Sequence, residues 1–403
     1  MDSYDIAIVG AGIVGLALAR ALLLRQPGTR VVVLEKEATV AAHQTGHNSG
    51  VIHSGVYYRP GSLKARLCVT GSRALAAYCR EHGLAMQTPG KVIVAVNDAD
   101  LPRLREVERR GRENGVEGLR WLSASALAAL EPHIRGVAAL HVPVTAIVDY
   151  AEVARSYQTD IAAQGGEVRL GCAVTGFARD GAAIIVEGDS RAALRARQVI
   201  NCAGLFADRI AMLAGSEAAR HEFRILPFRG EYYSLRPPAA ALLRGLVYPV
   251  PDPRFPFLGV HFTPRVHGGV EAGPSAVLAW KREGYRRRDV SLTDVAAMAA
   301  YRGSWAMAAR YWRKGLGEQV RSLNRRAYIR ALRGLLPALR DADVAPGGAG
   351  VRAQVVLRSG KLLDDFHVLR EGRFTHVINV PSPAATASLA IADHLANLCT
   401  DGG

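Results

Sequence analysis

The chain has 403 residues, 49% of them hydrophobic and 22% charged, an ordinary globular balance with room for two domains and large cores. Its five cysteines are scattered, without CxxC or metal-ligand spacing, so no metal site is expected and they read as reduced residues of a reducing compartment. The net charge is +15, with 45 Arg against 6 Lys; that excess calls for an anionic substrate or an anionic membrane surface, since no nucleic-acid module signature accompanies it.

Tyr4–Val9 reads as a strand and Gly10-Ala11-Gly12-Ile13-Val14-Gly15 follows at once. Leu16 to Arg25 favours helix, and Arg30 to Leu34 is a β-branched run that ends at Glu35. In this frame Gly10 permits the tight turn and Gly12 lets a pyrophosphate approach. Gly15 lets the helix sit close to the strand, and Glu35 is placed for a ribose hydroxyl. The helix N-terminus presents free N–H groups to phosphate. Residues 6–24 carry one charge, Arg20, and so mimic a membrane span, but three glycines and the strand that follows argue against it. The expectation is a mature cytoplasmic protein with no presequence.

Residues 36–60 read as a loop. Gly46-His47-Asn48-Ser49-Gly50-Val51-Ile52-His53-Ser54-Gly55-Val56-Tyr57-Tyr58 is dense in Gly and polar groups. Such a loop can wrap a pyrophosphate, and a histidine in it can take a proton near neutral pH; a structural hydrogen-bonding role is the alternative for each residue. Helices are predicted over 61–82, 98–111, 123–130 and 150–163, and strands over 91–96, 167–170, 173–177 and 182–186. The strand 197–201 runs into Cys202-Ala203-Gly204, whose small side chains leave room for a cofactor at the strand's carboxyl end. Residues 224–280 are strand-rich, with Pro-punctuated turns at 249–253, and 291–336 are helical and basic. Strands return at 351–357 and 377–380. A helix is predicted from Ala384 to Leu398, with Ser382 as N-cap and Pro383 as first helical residue. The fold class is α/β with an α+β insertion: a Rossmann-like FAD-binding domain from 1–85, 150–220 and 340–403, and a mostly antiparallel substrate domain from 86–149 and 221–339.

The chain resembles FAD-dependent oxidoreductases of the D-amino-acid-oxidase type, and more closely the L-2-hydroxyglutarate dehydrogenase (oxidase) family. The resemblance rests on His43-Gln44-Thr45-Gly46-His47-Asn48-Ser49-Gly50-Val51-Ile52-His53, on Pro60-Gly61-Ser62-Leu63-Lys64-Ala65 and on Tyr248-Pro249-Val250-Pro251-Asp252-Pro253. Phe257 to Thr263, Gly350-Val351-Arg352-Ala353-Gln354 and Pro381 to Ala390 extend it to nearly the whole chain. Ser275 departs from the Asn expected there, and 285–330 carries little of the pattern. The resemblance implies FAD as cofactor, held by Gly10, Gly12, Ile13, Val14, Gly15, Glu35, Lys36, Thr45, His47, Asn48, Ser49, Gly50, Val174, Ala203, Gly204, Ser382, Pro383, Ala384, Ala385 and Thr386. It implies oxidation of L-2-hydroxyglutarate to 2-oxoglutarate. Another oxidase of this fold, acting on an amino acid or glycerol 3-phosphate, and a non-catalytic basic cofactor-binding module are the alternatives.

Hydride leaves C2 of a 2-hydroxy acid for flavin N5 while a base takes the hydroxyl proton. His53 is the favoured base and His261 the second. A dicarboxylate needs two anion clamps, for which Arg352 and Arg229 are the arginines nearest small-residue turns. Tyr57, Tyr58 and Tyr248 are expected as hydrogen-bond donors. The basic segment 282–336, with Trp and Leu interleaved, reads either as a solvated face or as a surface for an anionic bilayer. Oxygen or a membrane quinone is the expected electron acceptor, because no second nucleotide fingerprint is visible.

Overall fold

The computed structural model describes residues 1–189, 193–251 and 259–400. Ser3–Val9 lies parallel to Val31–Leu34 on one side and to Leu194–Asn201 on the other. Val31–Leu34 is buried throughout, the pattern of a strand covered on both faces. Glu167–Arg169 adds a parallel strand beyond it. At the other side, one half of Leu194–Asn201 pairs with the hairpin Val174–Asp180/Ala183–Gly188, and the other half runs parallel to Phe374–Asn379, which pairs with His367–Glu371. Helices Ile13–Arg25, Leu63–Glu81, Tyr150–Ala163 and Ser388–Thr400 cover one face of this sheet with a shared apolar core. This is the expected Rossmann-like arrangement, assembled from separated pieces of chain.

The second sheet runs in the order 120–123, 138–142, 91–95, 246–249, 261–264, 270–273, 223–235, and then 277–278. All its pairs are antiparallel except that of Lys91–Ala95 with Leu246–Pro249. Val344–Leu357 pairs along nearly all of Phe223–Leu235, so this stretch, expected with the nucleotide-binding pieces, belongs to the second sheet. Val51–Ile52, Ala146–Val148 and Met86–Gln87 form a three-stranded patch between the two sheets' segments. The basic segment forms helices Leu292–Ala300, Arg302–Leu323 and Arg325–Arg333, and Tyr328, Ile329, Leu332, Leu335 and Leu336 pack on the second sheet. Asp252, Pro253, Phe257 and Leu258 of the sequence words above lie outside the described residues.

One terminus differs from expectation. The last helix starts at Ser388, and residues 382–387 form turns. Ser382 is therefore not its N-cap, nor Pro383 its first residue. Ala384 N–H bonds back to Pro381 O and Ala387 N–H to Pro383 O. Thr386 is held by long-range hydrogen bonds, and a Cβ on Gly71 would lie 2.6 Å from Ala387 Cα. These tertiary contacts outweigh the local Ser-Pro capping signal.

Candidate active site

The glycine turn separates demands of packing from demands of a ligand. Gly10 has φ +107°, and a Cβ on it would lie 2.7 Å from Cys202 O. A Cβ on Gly15 would run into Gly10 O. Gly12 has φ −76°, open to any residue, and its Cβ would meet only Thr45 Oγ1 at 3.5 Å. Among the described residues nothing requires glycine at 12, whereas a pyrophosphate approaching the helix N-terminus would. Leu16 N–H is the first to bond back, to Gly12 O, so the N–H groups of Ile13, Val14 and Gly15 point forward. Thr45 Oγ1 accepts the first of these at 3.0 Å. Glu35 accepts from Ala11 N–H (2.8 Å) and Glu37 N–H (3.0 Å), which fixes its carboxylate at the turn. Cys172 N–H donates to Glu35 O, bringing Val174 two residues further on to the same edge. These residues fit FAD.

The loop 43–58 is tied down at several points. Gly350 passes so close to His47 O that no Cβ fits, and His47 Nδ1 pairs with Ala349 O at 3.1 Å. His47 also stacks on Tyr285, with centroids 4.1 Å apart. Asn48 uses its side chain on Gln44 O, Thr45 O and Gly50 N–H, and Arg265 donates to Asn48 O. The Thr386 hydroxyl donates to Val51 O and accepts from His53 N–H, so it joins the last turn to the loop rather than standing free. Tyr58 hydrogen-bonds Ser382. Gly204, with φ +53°, faces Gln44, whose Oε1 accepts from Ala353 N–H. Lys36 is taken up by Glu37, Glu283 and His43 at the surface.

A polar cluster lies where this loop meets the second sheet. His53 and Tyr57 come from the loop, Tyr248 and His261 from adjacent strands, and Arg352 and its hydrogen-bond partner Tyr232 from the long paired strands. Tyr248 stacks on His261 at 3.8 Å, and its hydroxyl lies 3.5 Å from Thr263 Oγ1. His261 Nδ1 pairs with Gly259 O at 2.8 Å; a proton on Nδ1 leaves Nε2 as the acceptor. Removal from water, then the positive charges of Lys91 and Arg352, push His53 down to about 3. His261 is likewise lowered to about 3, by burial first and then by Arg352 and Lys91. Both imidazoles are therefore neutral at pH 7 and able to accept a proton. His53 Nδ1 and Tyr57 OH are buried without a partner among the described residues.

Two expectations do not reach this cluster. Arg229 is buried against Glu231, with a further bond to Arg286 O, so its guanidinium is spent on the scaffold rather than on an anion clamp. Arg282 is a buried partner of Asp208 and Leu205 O and adds nothing to an exposed basic face, whereas Arg287 is exposed with its guanidinium held by Glu231. Sequence reasoning also missed a member: Lys91 lies over the rings of Tyr57 (4.6 Å) and Tyr248 (5.2 Å). As one charge heading an apolar strand it reads as a solvated start, and only its central place in the sheet buries it.

The match to known proteins decides the family. Residues 5–398 match the family model described as FAD dependent oxidoreductase. The chain is a member of the L-2-hydroxyglutarate dehydrogenase family of FAD-dependent oxidoreductases. It is 45% identical to L-2-hydroxyglutarate dehydrogenase of Indibacter alkaliphilus, covering 96% of both chains. It is also 45% identical to the mitochondrial enzyme of Homo sapiens, over 98% of this chain and 88% of that one. The fold is that of L-alpha-glycerophosphate oxidase from Mycoplasma pneumoniae, solved with FAD bound: TM-score 0.80, 22% identity, 99% of this chain and 95% of that one. FAD is the cofactor of the family, and the glycine turn and Glu35 fit it.

Proposed function

We propose that the chain oxidises L-2-hydroxyglutarate to 2-oxoglutarate, with the first sheet and its helices holding FAD and the second sheet holding the substrate. The observation that carries this reading is the meeting of His53, His261, Tyr248 and Arg352 beside the loop tied to the glycine turn. FAD, when bound, supplies the acceptor for the hydride of C2. The Arg352 guanidinium is suited to grip the carboxylate next to the reacting carbon, because its planar fork matches a carboxylate and fixes orientation. His53, neutral and with Nδ1 unpartnered, takes the hydroxyl proton. His261 and Tyr248 form a stacked wall that keeps water from the hydroxyl. Anaerobic addition of L-2-hydroxyglutarate should bleach the yellow absorbance far faster than the D form, an amino acid or glycerol 3-phosphate. Equal or faster bleaching by either of the last two would overturn the assignment.

Electron delivery to a membrane quinone is favoured over oxygen by one surface. Trp305, Trp312 and Leu316 are 65%, 58% and 58% exposed and share a face of helix Arg302–Leu323. Arg302, Arg310 and Arg313 are exposed beside them, Arg313 lying over the Trp312 ring at 5.3 Å. Exposed Trp and Leu flanked by Arg suit the surface of an anionic bilayer. Among the described residues no helix is long and apolar enough to cross a membrane.

A further inference from the structure

Lys91 is 1% exposed, and its Nζ has no hydrogen-bond partner among the described residues. It heads Lys91–Ala95, a strand held between Leu246–Pro249 and Ala138–Val142. The faces of Tyr57 and Tyr248 return only part of the hydration an ammonium loses on burial. The titratable groups facing it are His53 and Tyr57 from the loop, Cys68 from helix Leu63–Glu81, and Tyr248 and His261 from the neighbouring strands. None is a carboxylate, and burial pushes the Cys68 thiol up to about 12, so among the described residues no anion answers the charge. A buried cation without a counterion is costly unless a ligand completes it.

The cluster has a second cation. Arg352 is solvent-exposed and Lys91 is not, and the charges of both act on His53 and His261. The two imidazoles therefore lie within reach of both an exposed guanidinium and a buried ammonium. We propose that Lys91 binds the second, distal carboxylate of the substrate and so sets the preference for a dicarboxylate over a monocarboxylate. This rests on the reading that the substrate is a 2-hydroxy dicarboxylate whose near carboxylate meets Arg352. The unpartnered Tyr57 hydroxyl beside Lys91 supplies a neutral donor to the same carboxylate. Burial lowers the Lys91 amine to about 7, so an arriving carboxylate restores its proton.

The test compares FAD-loaded wild type with Lys91→Met and Lys91→Gln on L-2-hydroxyglutarate and L-2-hydroxypentanoate, which has the same carbon chain without the distal carboxylate. The ratio of kcat/KM for the first acid over the second should fall about 10²-fold in both variants, the size of a lost charge-assisted hydrogen bond. In wild type, calorimetry of glutarate binding at pH 8 in buffers of different ionisation heat should show uptake of about one proton per site, and pentanoate little. The proposal is overturned if the ratio stays put, if both acids lose equally, or if glutarate binds wild type without proton uptake. A wild type that prefers the monocarboxylate sinks the functional reading itself, which is a different result.

Discussion

Replacing Lys91 with Met should make the protein more stable, and more so at low pH. The side chain is buried with no counterion among the described residues, and its amine sits at about 7 instead of the usual 10.5. At about 1.4 kcal/mol per pH unit, that gap sets a penalty of about 5 kcal/mol on the folded state whenever the amine must be charged. Between pH 7 and 10.5 the unfolded chain binds the proton and the folded chain does not, so stability rises with pH across that window. Below pH 7 both states are protonated and the penalty is present in full. Methionine has similar length and no charge, so it removes the penalty and its pH dependence together. The measurement is urea denaturation of both FAD-loaded proteins at pH 6 and pH 9. The stability advantage of Lys91→Met should shrink by about 3 kcal/mol between the two, since about two pH units of the window are crossed. Parallel profiles, or a wild type more stable than the variant at pH 6, would show that the ammonium is not desolvated and unpaired. A variant that gains stability while losing dicarboxylate selectivity marks a residue kept for function at the expense of the fold.

Gly12→Val should fold but purify colourless, because its φ is open to valine and only Thr45 Oγ1 lies near its Cβ, while the γ-carbons stand where the pyrophosphate must come; full flavin content would remove that role. His53→Ala should keep FAD, since the bond to Thr386 comes from the His53 backbone, and should slow flavin reduction about 10²–10⁴-fold; loss of cofactor instead would make His53 a flavin-holding residue. Arg352→Ala should cut kcat/KM on the order of 10²-fold, and Arg352→Lys should rescue it poorly because the fork is lost. The wild type should co-sediment with anionic vesicles at low salt and release at high salt, and exchange of Arg302, Arg310 and Arg313 for Gln should weaken this without changing turnover with a soluble dye. Indifference to vesicles at low salt would leave oxygen as the better acceptor.

The nucleotide-binding half was legible because its signals are local. The run of Val31–Leu34, the spacing of the three glycines and the acid at 35 each follow from the chemistry of adjacent residues. The predicted helix over 150–163 coincides with the observed one, because Asp149 caps it and its apolar face is periodic. The second sheet was legible as strand-rich and mostly antiparallel but not in its register, since the pairing of Phe223–Leu235 with Val344–Leu357 joins residues far apart in sequence. Arg229 and Arg352 look alike in sequence, both beside small residues. Glu231 on the same strand separates them, neutralising Arg229 in place. Lys91 carried no local signal, because its burial comes from strands more than forty residues away on either side.

On the proposed reading, the charges of the cluster bind base strength to substrate identity. His53 is a weak base in the free protein, first because it is withdrawn from water and then because Lys91 and Arg352 add positive potential. A dicarboxylate brings two negative charges to the two cations, which removes the electrostatic share of that depression and raises the affinity of His53 for a proton as the hydroxyl arrives. A monocarboxylate neutralises one cation and leaves the other acting against proton transfer. Loss of the hydride and the hydroxyl proton leaves the organic product a dianion, so the same cations hold product as firmly as substrate. What changes is His53, which now carries a positive charge close to two cations in a site that disfavours it. Its return to the neutral form is downhill once the product leaves, so the cluster resets itself. Dicarboxylate preference and proton transfer then share one electrostatic origin, and a single change at Lys91 should move both the selectivity ratio and the pH profile of flavin reduction.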